Sequence, residues 1–227
     1  MNWLVKFLNS SIGQKLIMSL SGLFLIVFLL IHLLGNLQLL KADGGQAFNI
    51  YGYFMTHNPL IKMVSYGLYL FILIHAIQGT LLWLKNRSAK GSSYAVNSNA
   101  GTNMFSRYMM HFGIIIFIFI IIHMIQFWLK MKMGVLDQVS YDGVDHTVAN
   151  LYAPCQLAFS NIGYVLFYVL SMLILAFHLN HGFQSAFQTL GWNHPKYNGL
   201  IKIVGLLYSI LIPLGFAIIP IFMFLNK

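Results

Sequence analysis

The stretch FHLNHGFQSAFQTLG, residues 177–191, sets imidazole groups inside an otherwise apolar run and decides how the chain is organised. His178 and His181 lie three residues apart beside Gly182, and small or polar residues follow them at helical spacing. A membrane helix does not carry imidazole without a partner, because an unpaired polar group in hydrocarbon costs several kcal/mol. The stretch therefore predicts one wall of a cofactor site, with the opposite wall on another helix.

The composition is that of a helical membrane protein. Of the 227 residues, 59% are hydrophobic and only 7% are charged. The single cysteine, Cys155, excludes an internal disulfide, a cysteine zinc cluster, an iron–sulfur cluster and haem attachment through a CxxCH motif. The net charge of +9 comes from basic residues that flank apolar runs. We therefore expect the lipid bilayer, and no nucleic acid, as a partner.

Five intervals without charge are each close to the roughly 20 residues that a helix needs to cross a bilayer. The sequence thus predicts an all-α integral membrane protein whose five transmembrane helices form one bundle, with residues 1–227 as a single domain. The spans, numbered I to V in chain order, are expected at about 16–40, 63–84, 108–129, 160–187 and 203–226.

The distribution of charge predicts the topology. The N-terminal segment, the II–III loop and the IV–V loop carry Lys and Arg without any acid. The other side of the predicted membrane holds all the acidic residues, which are Asp43, Asp137, Asp142 and Asp145. Because basic loops stay in the cytoplasm, we expect the N-terminus inside and the C-terminus outside. Residues 86–103 of the II–III loop are expected to form a polar linker.

Each of the first four spans contains a histidine well inside its apolar run: His32, His75, His123 and His178. A lone membrane histidine is more often an interhelical hydrogen-bonding group than a ligand. Glycines repeat beside these histidines, and a glycine lets a flat macrocycle approach the helix backbone. Spans I and III share the pattern G-x9-H, and spans II and IV share H-x3-G; the glycines are Gly22, Gly113, Gly79 and Gly182.

The depth of each histidine predicts how the four combine. At about 1.5 Å per residue, His32 and His123 lie roughly 24–25 Å from the inner ends of their spans, whereas His75 and His178 lie only about 15 Å away. Two bis-histidine sites result, with His32 and His123 as the outer pair and His75 and His178 as the inner pair. Two imidazoles without another polar ligand suit a six-coordinate haem b, whereas zinc requires more protein ligands.

His178 and His181 compete for the role of inner ligand, since they face nearly the same side of span IV. Comparison with span II favours His178, because Gln78 occupies the place that matches His181. His181 stays the alternative ligand.

These features resemble a known family, over nearly the whole chain. The chain is similar to the cytochrome b membrane anchor of succinate:quinone oxidoreductases, in the five-helix, two-haem, single-polypeptide form of menaquinone-linked succinate dehydrogenases and fumarate reductases. The segments that carry the resemblance are SLSGLFLIVFLLIHLLGN, GGQAFN, FILIHAIQG, GIIIFIFIIIH and FHLNHGFQSAFQTLG.

The resemblance implies a ligand set. One histidine on each of the first four helices would bind haem iron, and the glycine four residues after the last ligand selects His178. Ser19, three residues before the glycine of span I, would help to hold a haem propionate. Some fumarate reductases of this type carry a glutamate two residues before the fourth ligand, for transmembrane proton movement. This chain has Ala176 there, so the resemblance does not extend to that proton route.

The resemblance also implies the function of an electron-transfer subunit in the bacterial inner membrane. A flavoprotein subunit and an iron–sulfur subunit would dock on the cytoplasmic face and carry the succinate and fumarate chemistry. Electrons would pass between the iron–sulfur subunit and a quinone, with menaquinone expected, through two haems b. Candidate quinone-binding residues near the outer pair are Asn36, Asn49, Tyr53 and His57.

Two alternatives stay open from the sequence. A dihaem cytochrome b subunit of a hydrogenase or a formate dehydrogenase would share the bis-histidine arrangement. A non-redox membrane transporter would instead show charges within its spans or broken helices. The sequence decides neither the direction of catalysis, nor the quinone species, nor whether the complex forms a higher oligomer.

Overall fold

A computed structural model describes residues 2–89 and 104–227. The chain is an all-α membrane protein, as predicted. Five helical segments are long and apolar enough to cross a bilayer: Ser11–Leu40, Pro59–Ser88, Arg107–Lys132, Ile162–Thr189 and Pro195–Leu225. Most of them extend beyond the predicted limits, because helical turns continue past the apolar run. Of the predicted polar linker, residues 90–103 lie outside the described residues.

The described part of the chain contains nine α-helices and one small β-hairpin. The helices are α1 (Trp3–Asn9), α2 (Ser11–Asn36), α3 (Gln46–His57), α4 (Pro59–Ala89), α5 (Met104–His123), α6 (Lys130–Lys132), α7 (Tyr152–Phe159), α8 (Ile162–Thr189) and α9 (Pro195–Leu225). A 3-10 turn, Leu37–Leu40, extends α2, and a π-helix, Met124–Leu129, joins α5 to α6. The strands β1 (Gln138–Val139) and β2 (Val148–Ala149) pair antiparallel.

Polar side chains cap the starts of several of the long helices, among them α2, α8 and α9. The Ser10 hydroxyl accepts a hydrogen bond from the backbone N–H of Gly13 at the start of α2. The Asn161 side chain accepts from Gly163 at the start of α8, and His194 Nδ1 accepts from the backbone N–H of Lys196 in α9. Each cap satisfies an N–H group that has no partner inside the helix.

Asn49 joins α3 to the segment between α6 and α8. Its side chain is fully buried, at 0% exposure. The amide nitrogen donates to the Tyr141 hydroxyl and to Asn150 Oδ1, over 2.8 and 3.2 Å, and Oδ1 accepts from the backbone N–H of Tyr152. Asn49 therefore links helix α3 to the hairpin segment and to the start of α7.

Packing is uneven around the bundle. Helix α8 packs closely against α9, and the main apolar cluster joins them through Val165, Tyr168, Ile212 and Ile219. In contrast, no residue in the most apolar stretches of α4 and α5 is buried, within the chain as described. In addition, α2, α4, α5 and α8 leave a space between them that protein atoms do not fill.

Candidate functional site

A single cavity of about 1780 Å³ occupies that space. Its wall is mainly apolar, and Lys62 and Lys132 lie at one end, with Asn86 and Arg107 at the other. Sites for one small molecule usually measure about 300–1,000 Å³. The cavity therefore runs along the bundle and has room for more than one ligand.

The first pair of histidines in the cavity comes from α2 and α5. The ring centroids of His32 and His123 lie 5.9 Å apart, with the ring planes perpendicular. Phe28 stacks on His32 at 5.1 Å, and Phe119 stacks on His123 at 5.8 Å. The two aromatic rings belong to the same helices as the histidines that they support, one turn away, so helical spacing alone brings them into place.

The second pair comes from α4 and α8. The ring centroids of His75 and His178 lie 6.2 Å apart, with an angle of 67° between the planes. His181 also lines the cavity, three residues further along α8. The structure thus brings the four histidines together in the two pairs that their depths predicted, and His178 is the one that faces His75.

The glycines of spans I and III lie beside the second pair. A Cβ atom on Gly22 would lie 3.2 Å from Cε1 of His75, and one on Gly113 would lie 3.9 Å from Cε1 of His178. Each glycine stands ten residues before its own histidine, a distance of roughly 15 Å along a helix. The glycine of each G-x9-H pattern therefore makes room for an imidazole of the second pair on a neighbouring helix, while the histidine of the pattern belongs to the first pair. The spacing of ten residues thus puts the two pairs about 15 Å apart along the bundle.

The glycines of spans II and IV also line the cavity. A Cβ atom on Gly79 would lie 3.4 Å from Cε of Met18, and one on Gly182 would lie 3.6 Å from Cε of Met109. Both methionines are flexible, polarizable side chains that adapt to the shape of a bound group.

The two histidine nitrogens of each pair suit a metal ion that a cofactor already coordinates through most of its positions. Two metal–nitrogen bonds of about 2 Å each would fit between rings at these separations. Among the described residues, no three His, Cys, Asp or Glu side chains converge on one point. Each pair therefore offers two nitrogens, which suits an iron that is already held by the four nitrogens of a porphyrin and does not suit structural zinc.

The second ring nitrogens have different surroundings. Nδ1 of His75 lies 3.3 Å from the Ser21 hydroxyl, and Nδ1 of His123 lies 3.4 Å from the Tyr168 hydroxyl. Nδ1 of His178 is buried without a hydrogen-bond partner in the described part of the chain. Buried polar atoms are normally paired, so Nδ1 of His178 departs from the usual rule.

Other predicted site residues are spread over a wider area. Ser19 is buried at the cavity wall, and its hydroxyl donates to the backbone oxygen of Lys15 over 2.9 Å. Asn36 lines the cavity, and its amide nitrogen lies 3.3 Å from Nδ1 of His32.

The other predicted quinone-binding residues lie outside this cavity. Asn49 does not line it, because the contacts with α7 and the hairpin occupy its amide. Tyr53 and His57 stack on each other at 3.9 Å beside a separate cavity of about 40 Å³.

The two imidazole pairs can hold two flat cofactors at different depths in an apolar space, and such an arrangement can carry electrons along the bundle. The sequence did not predict that Ser21, Tyr168 and the π-helix belong to this site.

Comparison of the chain with protein-family models, with curated proteins and with solved structures finds no match.

Proposed function

We propose that this chain is the dihaem cytochrome b membrane-anchor subunit of a succinate:quinone oxidoreductase. The observation that supports the proposal most strongly is the convergence of one histidine from each of four helices into two imidazole pairs within one apolar cavity. Intramembrane imidazoles are costly unless they have a partner, so two matched pairs indicate a function.

His32 and His123 would hold one haem b, and His75 and His178 would hold the other. When bound, these groups supply one-electron oxidation and reduction of iron within the bilayer. The residues of this chain would position the two haems and shield them. The four imidazoles would fix the two sites, and the apolar wall around them would exclude water. Ser19 would contribute to holding a propionate group, as the resemblance implies.

The proposed orientation puts the N-terminus in the cytoplasm of a bacterium and the C-terminus outside its inner membrane. The His75–His178 pair then lies nearer the cytoplasmic face, where a flavoprotein subunit and an iron–sulfur subunit would dock. The His32–His123 pair lies nearer the outer face. Quinone, with menaquinone expected, would react near that pair, where Asn36 is the candidate residue that lines the cavity.

The transporter alternative has less support. Many transporters and channels use Asp, Glu, Lys or Arg side chains inside the membrane. The buried residues of the described chain include no Asp, Glu, Lys or Arg. A dihaem subunit of a hydrogenase or formate dehydrogenase would use the same imidazole pairs, and its partner subunits distinguish it.

Purification of the native complex from membranes in mild detergent tests the proposal. We expect a flavoprotein and an iron–sulfur protein to copurify with this chain, and succinate to reduce its haem. Reduction by hydrogen or formate, with a different set of partner subunits, would support the second dihaem alternative instead. A chain without haem would exclude both.

A further inference from the structure

Hydroxyl groups contact one histidine in each pair, and both hydroxyls come from a different helix than the ring. Ser21 on α2 lies beside His75 of α4, and Tyr168 on α8 lies beside His123 of α5. Both side chains are shielded, with 1% exposure for Ser21 and 7% for Tyr168. Because these contacts are shielded from water, the hydroxyl influences which nitrogen of the ring carries the hydrogen.

The hydrogen of each hydroxyl is used elsewhere. The Ser21 hydroxyl donates to the backbone oxygen of Met18 over 3.0 Å, and the Tyr168 hydroxyl donates to Oε1 of Gln126 over 2.9 Å. A hydroxyl has one hydrogen to donate. The oxygen of each hydroxyl must therefore accept from the ring, and Nδ1 of the ring carries the hydrogen.

This direction of donation fixes the tautomer. A neutral imidazole with hydrogen on Nδ1 has a free lone pair on Nε2. The opposite tautomer, with hydrogen on Nε2, could not bind a metal through that atom. His75 and His123 are therefore held in the form that a metal requires at Nε2.

The π-helix Met124–Leu129 begins directly after His123 and places Gln126 within reach of Tyr168. π-Helical turns are rare and occur frequently at functional sites. Within the same segment, Nε1 of Trp128 donates to the Tyr69 hydroxyl on α4 over 2.7 Å. Hydrogen bonds to two neighbouring helices thus hold the irregular turn that presents Gln126.

The two remaining histidines lack such a hydroxyl. Asn36 lies beside His32, and Nδ1 of His178 has no hydrogen-bond partner in the part of the chain that the structure describes. Each pair thus combines one ring that is oriented by a hydroxyl with one that is not.

The structure assigns Ser21 and Tyr168 as positioning residues that fix the ligand tautomers of His75 and His123, with Gln126 setting the direction of the Tyr168 hydroxyl. This inference rests on the proposed function. An imidazole that donates from Nδ1 is a more basic ligand. It stabilises the oxidised iron and lowers the midpoint potential of the haem that it binds.

Redox titration of the two haems in the purified complex tests the inference. Tyr168→Phe removes the acceptor and keeps the aromatic ring, so we expect a higher midpoint potential for the His32–His123 haem alone. Ser21→Ala should raise the potential of the His75–His178 haem alone. Gln126→Leu should shift the same haem as Tyr168→Phe, in the same direction and by less. The haem that survives in His75→Ala or His123→Ala identifies each potential.

Two control variants match these changes. Tyr164→Phe removes a hydroxyl from the same helix at a side chain that is 43% exposed. Ser209→Ala removes a buried serine that donates to the backbone oxygen three residues earlier, as Ser21 does, and that lies on α9. Neither control should shift either potential.

The outcomes separate the inference from the function. If the wild-type chain binds two haems but Ser21→Ala, Tyr168→Phe and Gln126→Leu leave both potentials unchanged, the inference is wrong and the proposed function stands. Equal shifts of both haems in any of these variants would show a general structural effect and would also overturn it. If Tyr168→Phe loses a haem, the midpoint potentials of Gln126→Leu alone decide whether Tyr168 is a positioning residue. A wild-type chain without haem would overturn the proposed function and the inference together.

Discussion

His75 lies directly against the backbone of Gly22, where a Cβ atom would stand 3.2 Å from Cε1 of the imidazole. The contact joins α2 to α4 and leaves no room at this point for a side chain larger than a methyl group. It also explains why a glycine stands ten residues before His32, although Gly22 serves the other histidine pair.

Substitution of Gly22 should therefore affect the haem that we propose for the His75–His178 pair. At 3.2 Å the imidazole needs to move by only a few tenths of an ångström to accept a methyl group, so Gly22→Ala should keep both haems. Gly22→Leu would displace the ring and should lose this haem alone, as measured by haem content per polypeptide. Gly67→Leu is the matched control, since a Cβ atom there meets nothing within 4 Å. Loss of both haems or of neither in Gly22→Leu would contradict the assignment.

If the proposed function is right, removal of single ligands should remove single haems. His75→Ala and His178→Ala should each lose the same haem, and His32→Ala and His123→Ala should each lose the other, because each iron needs both imidazoles. Pyridine haemochrome analysis should then give about half of the wild-type content, and His181→Ala should keep the full content. If His181→Ala lost the His75–His178 haem while His178→Ala kept it, the choice of ligand on α8 would be wrong.

Asn49 should contribute to stability and not to quinone binding. Asn49→Ala would leave the Tyr152 N–H and other buried groups without a partner, at about 1–3 kcal/mol for each group. We expect thermal denaturation several degrees lower, with the KM for quinone unchanged in the folded complex. His57→Ala, at an exposed position, is the stability control. A raised KM without any loss of stability would restore Asn49 as a quinone-binding residue.

The Cys155 thiol should be unreactive in the folded protein. Burial in α7 raises its pKa to about 12. A raised pKa keeps the thiol neutral below that value, and only the thiolate is nucleophilic. Alkylation by iodoacetamide should thus stay slow across pH 7–9 in the native state and become fast on unfolding, as followed by mass spectrometry. Rapid alkylation of the folded chain at pH 8 would contradict the burial of this group.

Much of the fold follows from the sequence. Uncharged intervals of bilayer length predict the five helices, and the depth of each histidine predicts which two meet. These patterns of hydropathy and depth do not show which neighbouring residue each side chain contacts. Helix α3 was not foreseen, and the role of Asn49 became apparent only from its contacts with a segment about a hundred residues away.

The residues that support the site were missed for a similar reason. The π-helix MIQFWL contains no glycine or proline to mark it. One signal was present, however. Tyr168 stands ten residues before His178, as Gly22 stands before His32 and Gly113 before His123. Ten residues span roughly 15 Å of helix, so this offset marks residues at the level of the other histidine pair.

The visible absorption spectrum and haem content of the purified wild-type chain decide whether the two histidine pairs bind haem. We expect the Soret and α bands of low-spin haem b, with two haems for each polypeptide. A chain that is folded in detergent and has neither band would contradict the assignment of both histidine pairs.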